Sequence, residues 1–325
     1  MAKRRQFIRD FGLGAFSTLA LAATARSQAA ALPGPDPGTG KKVRVGIIGA
    51  ENSHSIGFGR MFNVQKKFPG VEIVAIWGET DEFAKNSAER GSIPKIVKKQ
   101  SDLMGMIDAL IIDHRHAKYH VESAIPFVKA GIPTFVDKPF SYRVANGREL
   151  LELAEKHKTP ITCLSSVGYG PQVDDMAAQV KELGEIESVV ITGPSDINSK
   201  YGGIFFYGIH TVERLFKLFG SDVEAVRATR NGSRYTFQFK YNSGLIATYI
   251  PVRGWELYCA MQEGMKQIKP RIETENDTLY MYSAIVKMFQ TGVEPRTHES
   301  ILAPIAALEA MERSVYSERW EYLLV

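Results

Sequence analysis

The heptapeptide at 43–49, VRVGIIG, is the feature that most narrows what this chain can become. It is almost continuously apolar, is too short to be read as a helix, and ends in glycine just ahead of polar residues. A strand apolar on both faces needs cover on both. That is the position of a strand inside a parallel sheet with helices above and below it. The pattern then recurs. Short apolar runs at 71–77, 109–113, 134–136 and 160–164 read as strands, and amphipathic stretches at 55–67, 82–90, 120–130 and 146–157 read as the helices between them. The sequence therefore predicts an α/β chain whose residues 42–163 form a doubly wound parallel sheet of the Rossmann type.

From 164 to 325 the period changes. Stretches at 188–192, 225–229, 233–241 and 244–252 alternate with period two, Asn242-Ser243-Gly244 supplies a hairpin turn, and helices are expected at 210–219, 276–291 and 301–317. This is the pattern of a second, α+β domain with an open, mainly antiparallel sheet, whose last helices can pack back on the first domain. With 325 residues, 44% of them hydrophobic, both domains can have real cores.

The first 31 residues read as an address. A basic start, an apolar stretch at 11–25 shorter than the ~20 residues of a membrane span, and the run Ala29-Ala30-Ala31 make an export signal, followed at 32–41 by a tether containing Pro33, Pro35 and Pro37. Within it, Lys3-Arg4-Arg5-Gln6-Phe7-Ile8-Arg9 resembles the twin-arginine consensus. The resemblance implies the Tat translocon as a partner, a periplasmic or extracellular destination, and a chain that folds around its cofactor before export. The formal charge of +4 resides in this segment, where Lys3, Arg4, Arg5, Arg9 and Arg26 face only Asp10. The balanced remainder gives no electrostatic case for nucleic acid or for stable membrane association. Cys163 and Cys259 form no framework and read as small buried hydrophobes.

Chemistry-bearing residues gather at strand ends. After the first strand, Gly49-Ala50-Glu51-Asn52-Ser53-His54 stands where a G-x-G-x-x-G turn would hold a diphosphate, with Glu51 and His54 in place of two glycines. Such a turn can still offer the N–H groups of Asn52 and Ser53 to an anion; the plainer alternative is that Ser53 only caps a helix. Glu79, after the second strand, is placed either for the adenosine ribose or as a solvated loop residue, and the lack of an arginine at 78 favours NAD over NADP. Asp137-Lys138-Pro139 delivers an ammonium to the end of the fourth strand, unless Lys138 is a plain surface lysine. In the segment 202–210, Tyr207 and His210 open an amphipathic helix, and an imidazole there can act as a general base. His114, His116 and His120 lack the partners that a metal site requires.

Together the VGIIG strand, Asp137-Lys138-Pro139, the Gly184-Glu185-Ile186 step and Gly208-x-His210 resemble the Gfo/Idh/MocA family, the group of glucose-fructose oxidoreductase and inositol dehydrogenase, across residues 43–317. The resemblance implies NAD or NADP held between the two domains, hydride transfer at a hydroxyl-bearing carbon of a sugar or cyclitol, and a homo-oligomer. It implies that Lys138 contacts the nicotinamide ribose and the substrate oxygen, and that His210 helps remove the hydroxyl proton, with Tyr207 in support. Gly49, Asn52, Ser53, His54, Glu79 and Asp137 complete the expected cofactor contacts. Phe206 stands where many members carry an aspartate. A tightly held cofactor also allows redox-assisted glycoside cleavage, and the departures at Glu51, His54 and Phe206 allow a silent carbohydrate-binding protein.

Overall fold

The computed structural model describes residues 38–269 and 275–324. The expected export signal and residues 32–37 of the tether lie outside the described residues. Five parallel strands, β1 (Val43–Ile48), β2 (Val71–Trp77), β3 (Ala109–Ile112), β4 (Thr134–Val136) and β5 (Ile161–Thr162), form one sheet in the order β2-β1-β3-β4-β5. Outside β2, Ile96 makes a single parallel bridge with Ile76, so the outer strand of that half is reduced to one residue pair. The crossovers are helices α1 (His54–Gly59), α2 (Asp81–Gly91), α3 (His120–Lys129) and α4 (Val144–His157). Helix α2 shows why such segments start where they do: the Thr80 hydroxyl accepts from Phe83 N–H, and Asp81 and Glu82 face the positive end of the dipole.

Strand β1 is buried on both faces. Val43, Val45 and Ile47 enter a core shared with Phe58, Phe62 and Tyr282, while Ile48 enters a second core shared with Val136 and Phe140. Each such side chain contributes about 1.5–3 kcal/mol of burial. The second core runs on without a break into the other half of the chain, through Val189, Phe237 and Tyr249.

That half contains α5 (Pro171–Glu182), β6 (Ser188–Gly193), α6 (Phe205–Phe219), β7 (Val223–Asn231), β8 (Arg234–Tyr241), β9 (Ile246–Pro251), β10 (Leu257–Met261), β11 (Gly264–Ile268), α7 (Glu275–Thr291), α8 (His298–Ser317) and β12 (Trp320–Tyr322). Its seven strands are ordered β11-β10-β6-β9-β8-β7-β12; β6 and β9 run parallel and the other neighbours antiparallel. The Asn242-Ser243-Gly244 turn joins β8 to β9, with Gly244 at φ +93°. Helix α7 crosses to the first sheet, where the Tyr282 ring meets Phe58 at 5.3 Å and Phe62 at 5.8 Å. Gln290 of α7 also accepts from Thr39 N–H and donates to Lys41 O, which fixes the last residues of the tether. Cys163 and Cys259 are free and buried. Among the described residues no helix is long and apolar enough to cross a membrane.

Three sequence expectations change. Helix α1 covers only six residues before a π-helical turn at Arg60–Val64, not the whole of 55–67. Helix α5 and strands β10, β11 and β12 were not expected at all. Helix α6 begins at Phe205 instead of 210, because Phe205, Phe206, Ile209, Val212 and Leu215 are buried at helical spacing and Gly202 and Gly203, at φ +100° and +58°, turn the chain just before them. His210 therefore lies in the second turn of the helix and not at its N-terminus.

Gly49 is the position where the backbone leaves no alternative: φ is +112°, and a Cβ there would stand 2.5 Å from Asp113 C and His114 N. Gly49→Ala should cost roughly 2–4 kcal/mol in urea denaturation. A loss below about 1 kcal/mol would show that the turn relaxes freely.

Candidate functional site

The carboxyl ends of all five parallel strands face one side of the sheet, the side on which α/β folds bind ligands. After β1, Gly49 turns the chain and the N–H groups of Ala50 and Glu51 both donate to Glu79 Oε2, at 2.8 and 3.0 Å. Glu79 follows β2, and its other oxygen is 2.8 Å from His114 Nδ1, whose Nε2 is 3.0 Å from Ser123 Oγ. Burial raises the Glu79 pKa, but the bonds from His114 and Ala50 N–H outweigh it and hold the carboxyl below its usual value. The turn is thus built to hold negative charge, and Glu79 is a bonded part of it instead of a solvated loop residue.

Glu51 points elsewhere. Its Oε1 accepts a 2.6 Å bond from Tyr201 Oη and lies 4.0 Å from Lys200 Nζ. The Glu51 carboxylate is thereby bonded to the loop that precedes α6, and it also lines the cavity beside the turn. Ser53 is exposed and its hydroxyl caps nothing, so the plain capping reading does not hold.

Beneath the turn lies a buried acid pair. Asn52 Nδ2 donates to Asp113 Oδ1 at 2.9 Å and to Asp137 Oδ2 at 3.1 Å, and His54 Nδ1 is 3.1 Å from Asp137 Oδ2. Burial pushes the Asp137 pKa up, yet the charges of His54 and Lys138 and the His54 bond bring it well below the carboxylate range. Burial and the Asp137 charge raise Asp113 well above it, and Asp113 Oδ2 has no hydrogen-bond partner. Two carboxyls this close share one negative charge, which sits on Asp137. One ligand atom from each of His54, Asp113 and Asp137 falls within a 4.8 Å cluster. The His114 and His120 rings stack at 6.2 Å, but their nitrogens face Glu79, Ser123 and the carbonyls of His114 and Pro139, and the His116 ring packs on Tyr142.

Lys138 follows Asp137 directly and is half-buried, with Nζ 5.5 Å from the centre of the Phe206 ring. His210 reaches the same place from α6. Its Nδ1 lies 3.0 Å from Ser165 Oγ, just beyond β5, and its ring meets Trp255 edge-on at 6.3 Å. Burial and then the positive charge of Lys138 lower the His210 pKa well below the ordinary histidine value, so the imidazole is neutral near pH 7. The dipole of a helix N-terminus plays no part, contrary to the sequence reading. With Nδ1 facing Ser165, Nε2 is the nitrogen left for a proton.

The two halves of the chain thus bring an amine and a neutral imidazole into one electrostatic neighbourhood. Tyr207 is 42% exposed and meets Phe206 edge-on at 4.6 Å. Sequence reasoning missed Ser165, Arg115 and Tyr201, which no motif marks. It also missed the buried pair of Glu213 with Arg296, at 3.1 Å, which ties α6 to the start of α8 and, through Arg296 Nη1 and Cys163 O, to the end of β5. Beside the turn is a cavity of about 470 Å³, lined by Trp77, Glu79, His114, Tyr119, Glu122 and Ser123 among others. A larger hollow of about 900 Å³ lies at the opposite ends of β1 and β2, around Lys42, Phe62 and Pro69, away from these groups.

Residues 43–164 match the family model Gfo/Idh/MocA, described as an oxidoreductase family with an NAD-binding Rossmann fold. No curated protein matches the chain by sequence. Among solved structures, a myo-inositol dehydrogenase from Lactobacillus casei in complex with NAD(H) and myo-inositol is similar over 87% of this chain and 97% of its own, at 14% identity and a TM-score of 0.73. A myo-inositol 2-dehydrogenase from Lactobacillus plantarum is similar over 87% and 100%, at 17% identity and a TM-score of 0.71. An oxidoreductase from Agrobacterium radiobacter in complex with NAD+, L-tartaric acid and magnesium is similar over 87% and 99%, at 15% identity and a TM-score of 0.69.

The raised pKa of Asp113 carries a sign that can be measured. The stability it confers is full below its unfolded pKa near 3.9 and is lost as pH rises through its higher folded value. Urea melts at pH 5 and pH 8 should therefore show Asp113→Asn gaining on the wild type at the higher pH, by up to about 1.4 kcal/mol per pH unit within that window. A difference that does not change with pH would mean that Asp113 is ionised in the folded protein.

Proposed function

We propose, from the match of residues 43–164 to the Gfo/Idh/MocA oxidoreductase family, that the chain is an NAD-dependent oxidoreductase acting at a hydroxyl-bearing carbon of a sugar or cyclitol. The observation that carries the proposal is that Lys138, from the end of β4, lies against Phe206, one helical turn before the neutral imidazole of His210 on α6, and acts on that imidazole by its charge. One side chain is a fixed positive charge and the other an available proton acceptor. Removing a proton from a hydroxyl while hydride leaves its carbon calls for that pair.

The turn after β1 fits a dinucleotide. Gly49 brings the turn against the backbone of Asp113 and His114, and the N–H groups of Ala50 and Glu51, engaged by Glu79, show that its donors suit an anion. Asn52 and Ser53 are the next backbone donors along the turn. The 470 Å³ cavity, with Trp77 and Tyr119 as aromatic walls, suits the adenosine half. Glu51, Glu79 and Glu122 in its lining would repel a 2′-phosphate, which favours NAD over NADP.

When bound, the nicotinamide supplies the hydride acceptor or donor. The chain does the rest. Lys138 holds the substrate oxygen by charge, Ser165 fixes His210 Nδ1, and His210 Nε2 takes the hydroxyl proton. Asp137 and His54 set the field around the ammonium. Phe206, packed beneath Lys138, offers an apolar wall where an acid would compete for that charge. We further read the protein as exported folded, with its cofactor loaded beforehand and retained.

Two experiments test this. Denaturing the purified protein should release nicotinamide dinucleotide, or the apoprotein should bind NADH, and Lys138→Ala and His210→Ala should each lower turnover by roughly 10²-fold or more while the dinucleotide still binds. Neither release nor binding would leave a silent carbohydrate-binding protein, and full turnover in both variants would remove the site. For export, replacing Arg4 and Arg5 by lysine should leave precursor in the cytoplasm; normal export would point to the ordinary secretion route.

A further inference from the structure

Arg115 stands two residues beyond Asp113 at the end of β3 and is half-buried. Its guanidinium carbon lies 4.3 Å from the centre of the Tyr201 ring and 5.3 Å from that of Phe206. Among the described residues no carboxylate forms an ion pair with it and no acceptor takes its N–H groups. A guanidinium withdrawn from water without a counter-ion is costly, and a bound anion is the ordinary remedy.

Its two ring neighbours locate it. Tyr201 is tied through its hydroxyl to Glu51 in the turn after β1, while the Phe206 ring has Lys138 Nζ as its other cationic neighbour, at 5.5 Å. Arg115 therefore lies between the turn and Lys138. A diphosphate spanning from the turn towards a nicotinamide beside Lys138 would cross this point. Placed over the rings and bonded to no acceptor, the guanidinium keeps its N–H groups for two phosphate oxygens. The turn, for its part, is short of donors: its second glycine is replaced by Glu51, and the N–H groups of Ala50 and Glu51 are engaged by Glu79.

We propose that Arg115 is the anion-binding residue of this cleft and recognises the diphosphate of the dinucleotide, taking over what the glycine-poor turn lacks, with Tyr201 and Glu51 holding it in place. The inference rests on the dinucleotide reading above. The same guanidinium chemistry would also accept the carboxylate of an acidic sugar, so the test must separate the two sources.

Full-length wild-type protein and Arg115→Ala are titrated with NADH, ADP-ribose, adenosine and the pair glucose and glucuronate. The expected result is a loss of roughly 10- to 100-fold in affinity for NADH and for ADP-ribose, with adenosine unchanged. Arg115→Lys, which keeps the charge without the planar guanidinium, should recover only part of that. Tyr201→Phe keeps the ring and removes only the tether, and guards against a variant that fails to fold. It should lose a smaller factor for the same two ligands and nothing for adenosine, a selectivity that a general structural defect would not produce. Unchanged ADP-ribose affinity in Arg115→Ala overturns the inference, as does a loss confined to glucuronate. If the wild type binds neither NADH nor ADP-ribose, it is the dinucleotide reading that falls.

Discussion

The site depends on one buried negative charge, the Asp137 carboxylate. It receives Asn52 and His54 from the turn after β1 and precedes Lys138 in the chain, so a single group fixes the end of β4 against the first crossover. A carboxylate this deep is tolerable only because it is bonded on several sides and faces cations. Asp113 beside it yields its own charge for the same reason. The arrangement ends with one anion beneath the turn and an ammonium above it. Burial and, after it, that ammonium keep His210 neutral. On the proposed reading the amine thus contributes twice, as a charge for an oxygen and as a second influence that leaves the imidazole able to accept a proton.

The replaced glycines become intelligible in the same terms. A glycine at 51 would let a ligand approach the backbone closely; glutamate forbids that but reaches Tyr201, and so joins the first crossover to the loop before α6. Histidine at 54 would crowd a helix packed tightly at this point, but here it turns to Asp137 and strengthens the anion on which Lys138 depends. Phe206 is not only the absence of an acid. Its ring lies against both Arg115 and Lys138, and a carboxylate there would neutralise one of them. The three departures are therefore linked: each moves charge or bulk towards the junction of the two halves.

How much was legible in the sequence follows from how local each cause is. The strand at 43–49 declared itself because burial on both faces leaves a continuous apolar run, and Lys138 because a strand end followed by proline fixes where a side chain emerges. The start of α6 was misplaced because an aromatic run after two glycines looks like loop, and only the core it fills shows it to be helix. Strands β10 and β11 are short, and β6, the strand through which their hairpin joins the sheet, lies some seventy residues before β10. Arg115 and Tyr201 had no signal at all. Cation–ring contact depends on which loops the fold brings together, and no spacing along the chain encodes it.

That contrast bears on how the proposed site can stand on a turn that lacks the usual glycines. Motif residues owe their visibility to local backbone requirements, such as a positive φ at Gly49 or an exit from a strand at Lys138. Those requirements are met here. On the proposed reading, the guanidinium of Arg115 supplies at this point the positive charge and N–H donors that a glycine-rich turn supplies from its backbone. Positive charge is found at Arg115 and Lys138, while the negative charges are buried at Asp137, bonded to the turn at Glu79, or bonded to Tyr201 at Glu51.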